Sequence, residues 1–447
     1  MFRARRPVPS LRLARLLVCL GVLALGARLP ALAAQVPNKE QIDRAHRILA
    51  QIKDDLERHY YDPTFGGIDL NAKYHAADSS LNEAPTIGEL FGVVAQFVFD
   101  LKDSHTNFYP PSRAAVIEYG WAWGMIGDAC YVTAVRKQSN AEAKGLEVGD
   151  RVLAIDGMLP TRQSIRLIGY LYYALNPRPG MHVTLQKIDG TRRELDILAK
   201  ITPTERVVDL SSAFVRSRLV EEWEESRAVQ RHHWRSFGDT VLVWRFRSFD
   251  YEDEYAIDDM MNRARKHKAL IIDLRDNGGG AVITMLRLIG HFFDHDVRVG
   301  TVRFRNKTEP MIAKRVGHEP FRGNLIILLN SNSASASEIT SRTLQLEGVS
   351  TIVGDRSMGA VMVSRYYPHN VGFQKSLPYG ISITEQDIIM PNEGRLENVG
   401  VSPEFVVLPT AADLAAKRDP QMAKALALAG IHMDPDRAAK ILDEPRD

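Results

Sequence analysis

The sequence predicts an α/β protein, and three observations carry that prediction. Ala269-Leu270-Ile271-Ile272-Asp273-Leu274 is apolar on both faces, as a strand covered on both sides is. It runs into Asn277-Gly278-Gly279-Gly280 and then a helical pattern from Ile283 to Phe293. The same order recurs where the apolar run Leu325 to Leu329 breaks into Ser333-Ala334-Ser335-Ala336-Ser337-Glu338 and a helix opens. Upstream, Val241-Leu242-Val243-Trp244 reads as a strand and Tyr255 to Lys266 has helical spacing, so strand and helix alternate from 201 to 410.

The flanking regions have other periods. In residues 1–33, Arg3, Arg5, Arg6, Arg12 and Arg15 precede or interrupt an apolar stretch from Leu16 to Ala27, and Ala31-Leu32-Ala33 offers a small-residue cleavage site. That is the pattern of an export signal, too short and too interrupted by Arg28 for a comfortable spanning helix. The expected product is exported, periplasmic or extracellular, with no stable membrane anchor after cleavage. Loss of six arginines and no acid turns the formal charge from +2 to −4, which removes the main support for nucleic-acid binding. Cys130 is then the one remaining cysteine, so no intrachain disulfide is expected. Residues 34–118 read as a helical region: Ile42, Ala45, Ile48, Leu49 and Ile52 recur at helical spacing, as do Leu90, Val93, Val94 and Phe97. Residues 411–447 read as an Ala-rich helical tail.

Residues 119–200 read as β-rich. Cys130 to Val135 and Val183 to Leu185 are strands, Gly145 stops a short helix, and Gly149-Asp150-Arg151-Val152-Leu153-Ala154-Ile155-Asp156-Gly157 is turn, strand, turn. The Gly-Leu…Gly-Asp-x-Val…Ile-Asp-Gly pattern resembles a PDZ domain. The resemblance implies a small barrel that adds a peptide strand to its edge and captures a terminal carboxylate on backbone N–H groups, with Gly124-Met125-Ile126-Gly127 as the expected carboxylate loop.

The residues alone leave two roles open for Ser335. A hydroxyl at a helix N-terminus lies among free N–H groups and the positive end of the dipole, where an oxyanion is stabilised. Ser335-x-x-Glu338 equally fits a capping box, in which the serine only caps. The glycine turn at 278–280 frees N–H groups and admits close approach. No Gly-Lys-Ser/Thr follows it, which argues against a nucleotide site. His232-His233 and His291-x-x-Asp294-His295 lack the helical His-Glu-x-x-His form, so neither a metal nor any other cofactor is expected.

Asp273-Leu-Arg-Asp-Asn-Gly-Gly-Gly280, Asn332-Ser-Ala-Ser-Ala-Ser-Glu338, Val353-Gly354-Asp355 and Leu396-Glu-Asn-Val-Gly-Val-Ser-Pro403, with Leu101-Lys-Asp-Ser-His-Thr106 upstream, resemble the C-terminal processing (tail-specific) serine proteases. The resemblance implies a crotonase-like core of β/β/α units over 201–410, an N-terminal helical region, and the PDZ-like insert. It implies Ser335 as nucleophile, Gly279 and Ala336 as oxyanion-hole amides, and structural roles for Ser333 and Ser337. One departure matters: that pattern places a lysine base where this chain has Ala360. Arg356 stays protonated and cannot replace it, and Lys375 has no motif support. The family's tricorn-like branch uses a histidine oriented through a serine and a glutamate. That branch implies His105 as base, Ser104 to orient it, and Glu397 as the acid, with Glu393 as fallback. The expected activity is hydrolysis of proteins or peptides bearing free C-termini. The alternatives are an inactive PDZ-containing protein that holds such tails, and a carrier of a lipid-like ligand.

Overall fold

The computed structural model describes residues 36–111, 115–175, 178–203, 232–372 and 377–443. Residues 1–33 and Lys375 lie outside the described residues. Among those described, no helix is long and apolar enough to cross a membrane.

The described residues open with three helices, α1 (Lys39–His59), α2 (Leu70–Leu81) and α3 (Ile87–Phe99). Asn38 caps α1 in a reciprocal box with Gln41, and the stripe Ala45, Ile48, Leu49, Ile52 and Leu56 turns inward. Strands β1 (Asn107–Tyr109) and β2 (Ala115–Glu118) follow, so the expected helical region ends in two short strands. Then come β3 (Trp121–Ile126), β4 (Ala129–Val135), α4 (Asn140–Ala143), β5 (Arg151–Ile155), α5 (Ile165–Tyr170), β6 (Gly180–Gln186), β7 (Arg192–Leu198) and β8 (Lys200–Pro203). Strands β3 to β7 form one antiparallel sheet in sequence order around Trp121, Val132, Ile155 and Val183. Its entry and exit strands, β2 and β8, pair antiparallel, so this β-rich body hangs on a two-stranded neck.

The central sheet takes β9 (His232–Phe237), β10 (Val241–Phe246) and β11 (Ala269–Asp273). It continues, after β12 (Val297–Arg303) and β13 (Thr308–Ala313), with β14 (Asn324–Leu329), β15 (Ser350–Gly354) and later β18 (Phe405–Val406). The order is β18-β15-β14-β11-β10-β9, parallel except for β9. Alternate residues face opposite ways, and both faces are covered. Leu242, Trp244, Leu270, Ile272, Leu325 and Ile327 pack on α6 (Glu254–Ala264), α7 (Val282–Gly290) and α8 (Ala336–Leu346). After the short α9 (Ala411–Ala416), which buries no residue, Val241, Val243, Ile271, Ile326 and Leu328 pack on the tail helices α10 (Pro420–Leu428) and α11 (Pro435–Ala438), chiefly through Met422, Ala425 and Leu426. The Ala-rich tail is therefore the back layer of the core.

A second sheet, β1-β17-β12-β13 with β16 (Val363–Val371) also on β17 (Leu377–Ile389), receives α1 and α3 on Val371, Tyr379, Ile381 and Ile383. Pairing of Asn107 with Ser382 and Phe108 with Ile381 carries the segment before β1 across to the core. The architecture is mixed α/β.

Candidate active site

Neighbouring parallel strands β11 and β14 end side by side, and the turns after them face each other. Ser335 sits at the start of α8 with φ 55° and ψ −117°, on the side of the φ map that β-carbons disfavour. Its N–H donates to the Ala360 carbonyl at 2.8 Å and to Glu338 Oε2 at 3.0 Å. The second bond is the glutamate half of the expected capping box; the Glu338 N–H meets the Ser335 main-chain carbonyl at 2.9 Å. Ser333 Oγ donates to the Leu274 carbonyl and Ser337 Oγ to the Asn277 carbonyl, so both flanking serines tie this elbow to the glycine turn. Gly279 (φ 95°) lies so close that a β-carbon there would fall 2.6 Å from Ser335 Cβ. Only glycine permits that approach.

Of the two expected oxyanion donors, Ala336 N–H has no hydrogen-bond partner among the described residues, as the first amide of a helix. Gly279 N–H is different: it donates to Asn277 Oδ1 at 2.9 Å, because the fully buried Asn277 folds its amide under the turn and gives Nδ2 to the Phe246 carbonyl. In this structure that amide is closed to any other acceptor.

Glu338 has no exposed surface and accepts four hydrogen bonds: Ser335 N–H and Ala360 N–H on Oε2, and Ser357 Oγ (2.5 Å) and Gly359 N–H (2.7 Å) on Oε1. Burial lifts its carboxyl to about 7, opposed by those donors. Ala360 is buried, and its neighbour Val361 donates its N–H to Glu397 Oε2 at 2.9 Å.

Glu397 leads to the histidine. Its Oε1 accepts from Ser104 N–H at 2.8 Å and its Oε2 from Ser104 Oγ at 2.9 Å. Ser104 Oγ lies 2.6 Å from His105 Nδ1. The hydroxyl has one proton. Given to the carboxylate, it leaves Oγ to accept from Nδ1–H, which makes Nε2 the bare nitrogen. Asp103 Oδ1 fixes the loop by accepting from His105 N–H (2.8 Å), Thr106 N–H (2.6 Å) and Thr384 Oγ1 (2.8 Å). Burial pushes the His105 imidazole down to about 4, the Arg166 guanidinium adds to that, and Asp103 opposes it. Glu393 sits in an exposed turn with its N–H on the Met390 carbonyl; the glutamate that meets Ser104 is Glu397.

Gly124-Met125-Ile126-Gly127, the expected carboxylate loop, lie in a strand and the turn that follows it. Gly124 to Ile126 belong to β3, paired with Tyr131, Cys130 and Ala129, and Gly127 (φ 57°) is in the hairpin turn. Gly127 N–H donates to Asp355 Oδ2 at 2.8 Å, and the Met125 carbonyl accepts from Ser331 Oγ at 2.6 Å. Met125 and Gly127 dock the β-rich body on the core, and the Gly127 amide is engaged there. A Gly-x-x-Gly stretch between apolar residues fits a tight hairpin as readily as a loop. Arg162 completes the docking: Nη2 to Asp355 Oδ2 (2.7 Å), Nε to the Gly127 carbonyl (2.8 Å) and Nη1 to the Arg356 carbonyl (3.0 Å). Arg162 and Arg166 carry no local motif that marks them in the sequence, and the motif that contains Asn277 does not mark its side chain as the partner of Gly279 N–H. His291 is held between Asp258 and Arg265, and no group of three or more His, Cys, Asp or Glu gathers as a metal site among the described residues.

Residues 240–407 match the model of peptidase family S41. The chain is 24% identical over 335 residues to the carboxyl-terminal-processing protease of Picosynechococcus, spanning 72% of this chain and 74% of that protein. It is 30% identical to the tail-specific protease of Haemophilus influenzae over 143 residues, 32% of this chain and 20% of that one. Among solved structures, mature CPAF superimposes with a TM-score of 0.64 over 90% of this chain and 98% of that one at 15% identity, a likeness of fold. The elbow and most of the central sheet lie within this S41-matching stretch, and the proteins that the chain resembles are carboxyl-terminal processing and tail-specific proteases.

Proposed function

We propose that the chain is an exported serine endopeptidase of protein or peptide substrates with free C-termini, with Ser335 as nucleophile and His105 as base. One observation carries this reading: Ser104 Oγ bridges His105 Nδ1 and Glu397, and Glu397 grips Val361 beside the Ala360 carbonyl that holds Ser335 N–H. His105 Nε2 takes the Ser335 proton as Oγ attacks the scissile carbonyl. Ser104 and Glu397 stabilise the imidazolium that forms, and the proton then passes to the leaving amine. Ala336 N–H receives the oxyanion; Gly279 N–H joins it once Asn277 Oδ1 lets go. Water hydrolyses the acyl-enzyme. Ala360 brings no proton acceptor, so the proton work is assigned to His105.

The β-rich body is read as a PDZ-like domain and the core as crotonase-like. Strand β3 ends its sheet with one edge that pairs with no other strand among the described residues, and its Met125 carbonyl touches Ser331, four residues before Ser335. A peptide added to that edge runs toward the elbow. The arginine-flanked apolar run of residues 1–33 supports export.

Ser335→Ala is expected to abolish peptide hydrolysis and labelling by a serine-directed acylating probe while the chain stays folded; turnover equal to the parent's sinks the mechanism. The closed Gly279 amide favours a second reading, a protein that holds C-terminal tails without cutting them. A mature chain that binds such peptides yet never acylates establishes that one.

A further inference from the structure

The peptide unit between Ser104 and His105 is held from three directions, and the third is unexpected. Asp103 Oδ1, from the same loop, takes the His105 and Thr106 N–H groups, and Asn107 Nδ2, at the start of β1, donates to the Ser104 carbonyl at 3.3 Å. The remaining donor is Nη2 of Arg166, which also bonds the Ser104 carbonyl. Arg166 is the second residue of α5, in the β-rich body that enters and leaves through the β2–β8 neck. A residue of the inserted body thus grips the main chain of the residue that orients the histidine.

We propose that Arg166 is a positioning residue for the His105–Ser104–Glu397 relay, supplied to the core by the inserted body. The proposal rests on the peptidase reading above and adds a component to it. A planar guanidinium holding a carbonyl fixes the peptide plane, and with it the direction in which Ser104 presents Oγ. Glu397, Asp103, Glu338 and the Tyr109 phenol face the guanidinium; Arg166 and Asp103 are the charges that face His105. The fixed cation disfavours a second positive charge on the imidazole and keeps Nε2 free between turnovers. The body is then part of the catalytic apparatus: when it shifts, the base loses its orientation.

The test compares the full chain with Arg166→Met, which keeps the stem without charge or donors, and Arg166→Lys, which keeps the charge without the fork. The readouts are the His105 titration midpoint, followed by NMR of labelled histidine, and kcat and KM on a peptide substrate. Arg166→Met is expected to raise the midpoint by about half to one pH unit. It is expected to lower kcat by about tenfold or more while KM stays within about twofold. Arg166→Lys restores the midpoint but recovers only part of kcat. A folded Arg166→Met chain with an unchanged His105 midpoint overturns the proposal, whether or not the parent has activity. Unchanged kcat in an active background overturns it as well. If the parent neither cleaves peptides nor acylates, the peptidase reading fails instead, and the midpoint still decides the role of Arg166.

Discussion

At the scale of single residues, the site sets a histidine and a glutamate against each other. An imidazole lowered to about 4 by burial and by Arg166 is neutral over the whole neutral range, ready to accept a proton but weakly basic at rest. The Ser104–Glu397 relay makes up that weakness only as the imidazolium forms, when Nδ1–H gains a charged partner. The acidic limb of kcat/KM is therefore expected near pH 4, well below the ordinary histidine value of about 6.5; a limb at 6.5 contradicts this. Linkage gives the stability its sign. Between pH 4 and about 6.5 the unfolded chain binds a proton at His105 that the folded chain does not, so this contribution is complete above about 6.5 and is lost as pH falls toward 4. Glu338, raised to about 7, works the other way: its contribution is complete below the ordinary glutamate range and is lost as pH rises through 7. A His105→Gln chain should lose less melting temperature on acidification from pH 6.5 to 4 than the parent, and equal losses would refute the assignment.

At the scale of elements, the elbow is a strand–turn–helix unit held from beneath by one carboxylate. Glutamine at 338 would set its amide against two of the four donors that Glu338 now accepts, orphaning them in a dry site. The expected cost is about 2–4 kcal/mol by urea unfolding, with activity lost as the 357–360 loop loosens from Ser335. A Glu338→Gln chain within about 0.5 kcal/mol of the parent would show that the carboxylate is not the support. These units were legible because apolar period and small-residue turns are local: β11, β14, α7, the elbow and Gly279 all follow from neighbours in sequence. The Ser104-His105 pair and Glu397 were legible through resemblance to a family. What stayed hidden depends on partners far along the chain. Strand β1 has three residues and exists because Phe108 meets Ile381. The 124–127 hairpin differs from a carboxylate loop only through Asp355 and Ser331, and Asn277 closes Gly279 by a side-chain rotation that no pattern encodes.

At the scale of the whole molecule, two of the places where the β-rich body meets the core answer to one another. One is polar docking around Asp355, where Arg162 and Gly127 N–H share a carboxylate that is almost wholly buried. The other is Arg166 on the Ser104 carbonyl, four residues along the same stretch of chain. Removing Arg162 leaves the Asp355 charge with only the Gly127 and Arg356 amides, and a buried carboxylate stripped of its cation costs about 3–5 kcal/mol unless water reaches it. The cheapest relief is for the body to lift on its β2–β8 neck, since the sheet beneath depends on none of these contacts. Arg162→Ala should therefore speed amide hydrogen exchange in 124–127 and 355–357 while β11 and β14 keep the parent's protection. Exchange unchanged at the docking surface would mean that the body is held by other contacts. Faster exchange there with lower kcat would tie the two contacts together, because a body that lifts from Asp355 takes Arg166 away from the base.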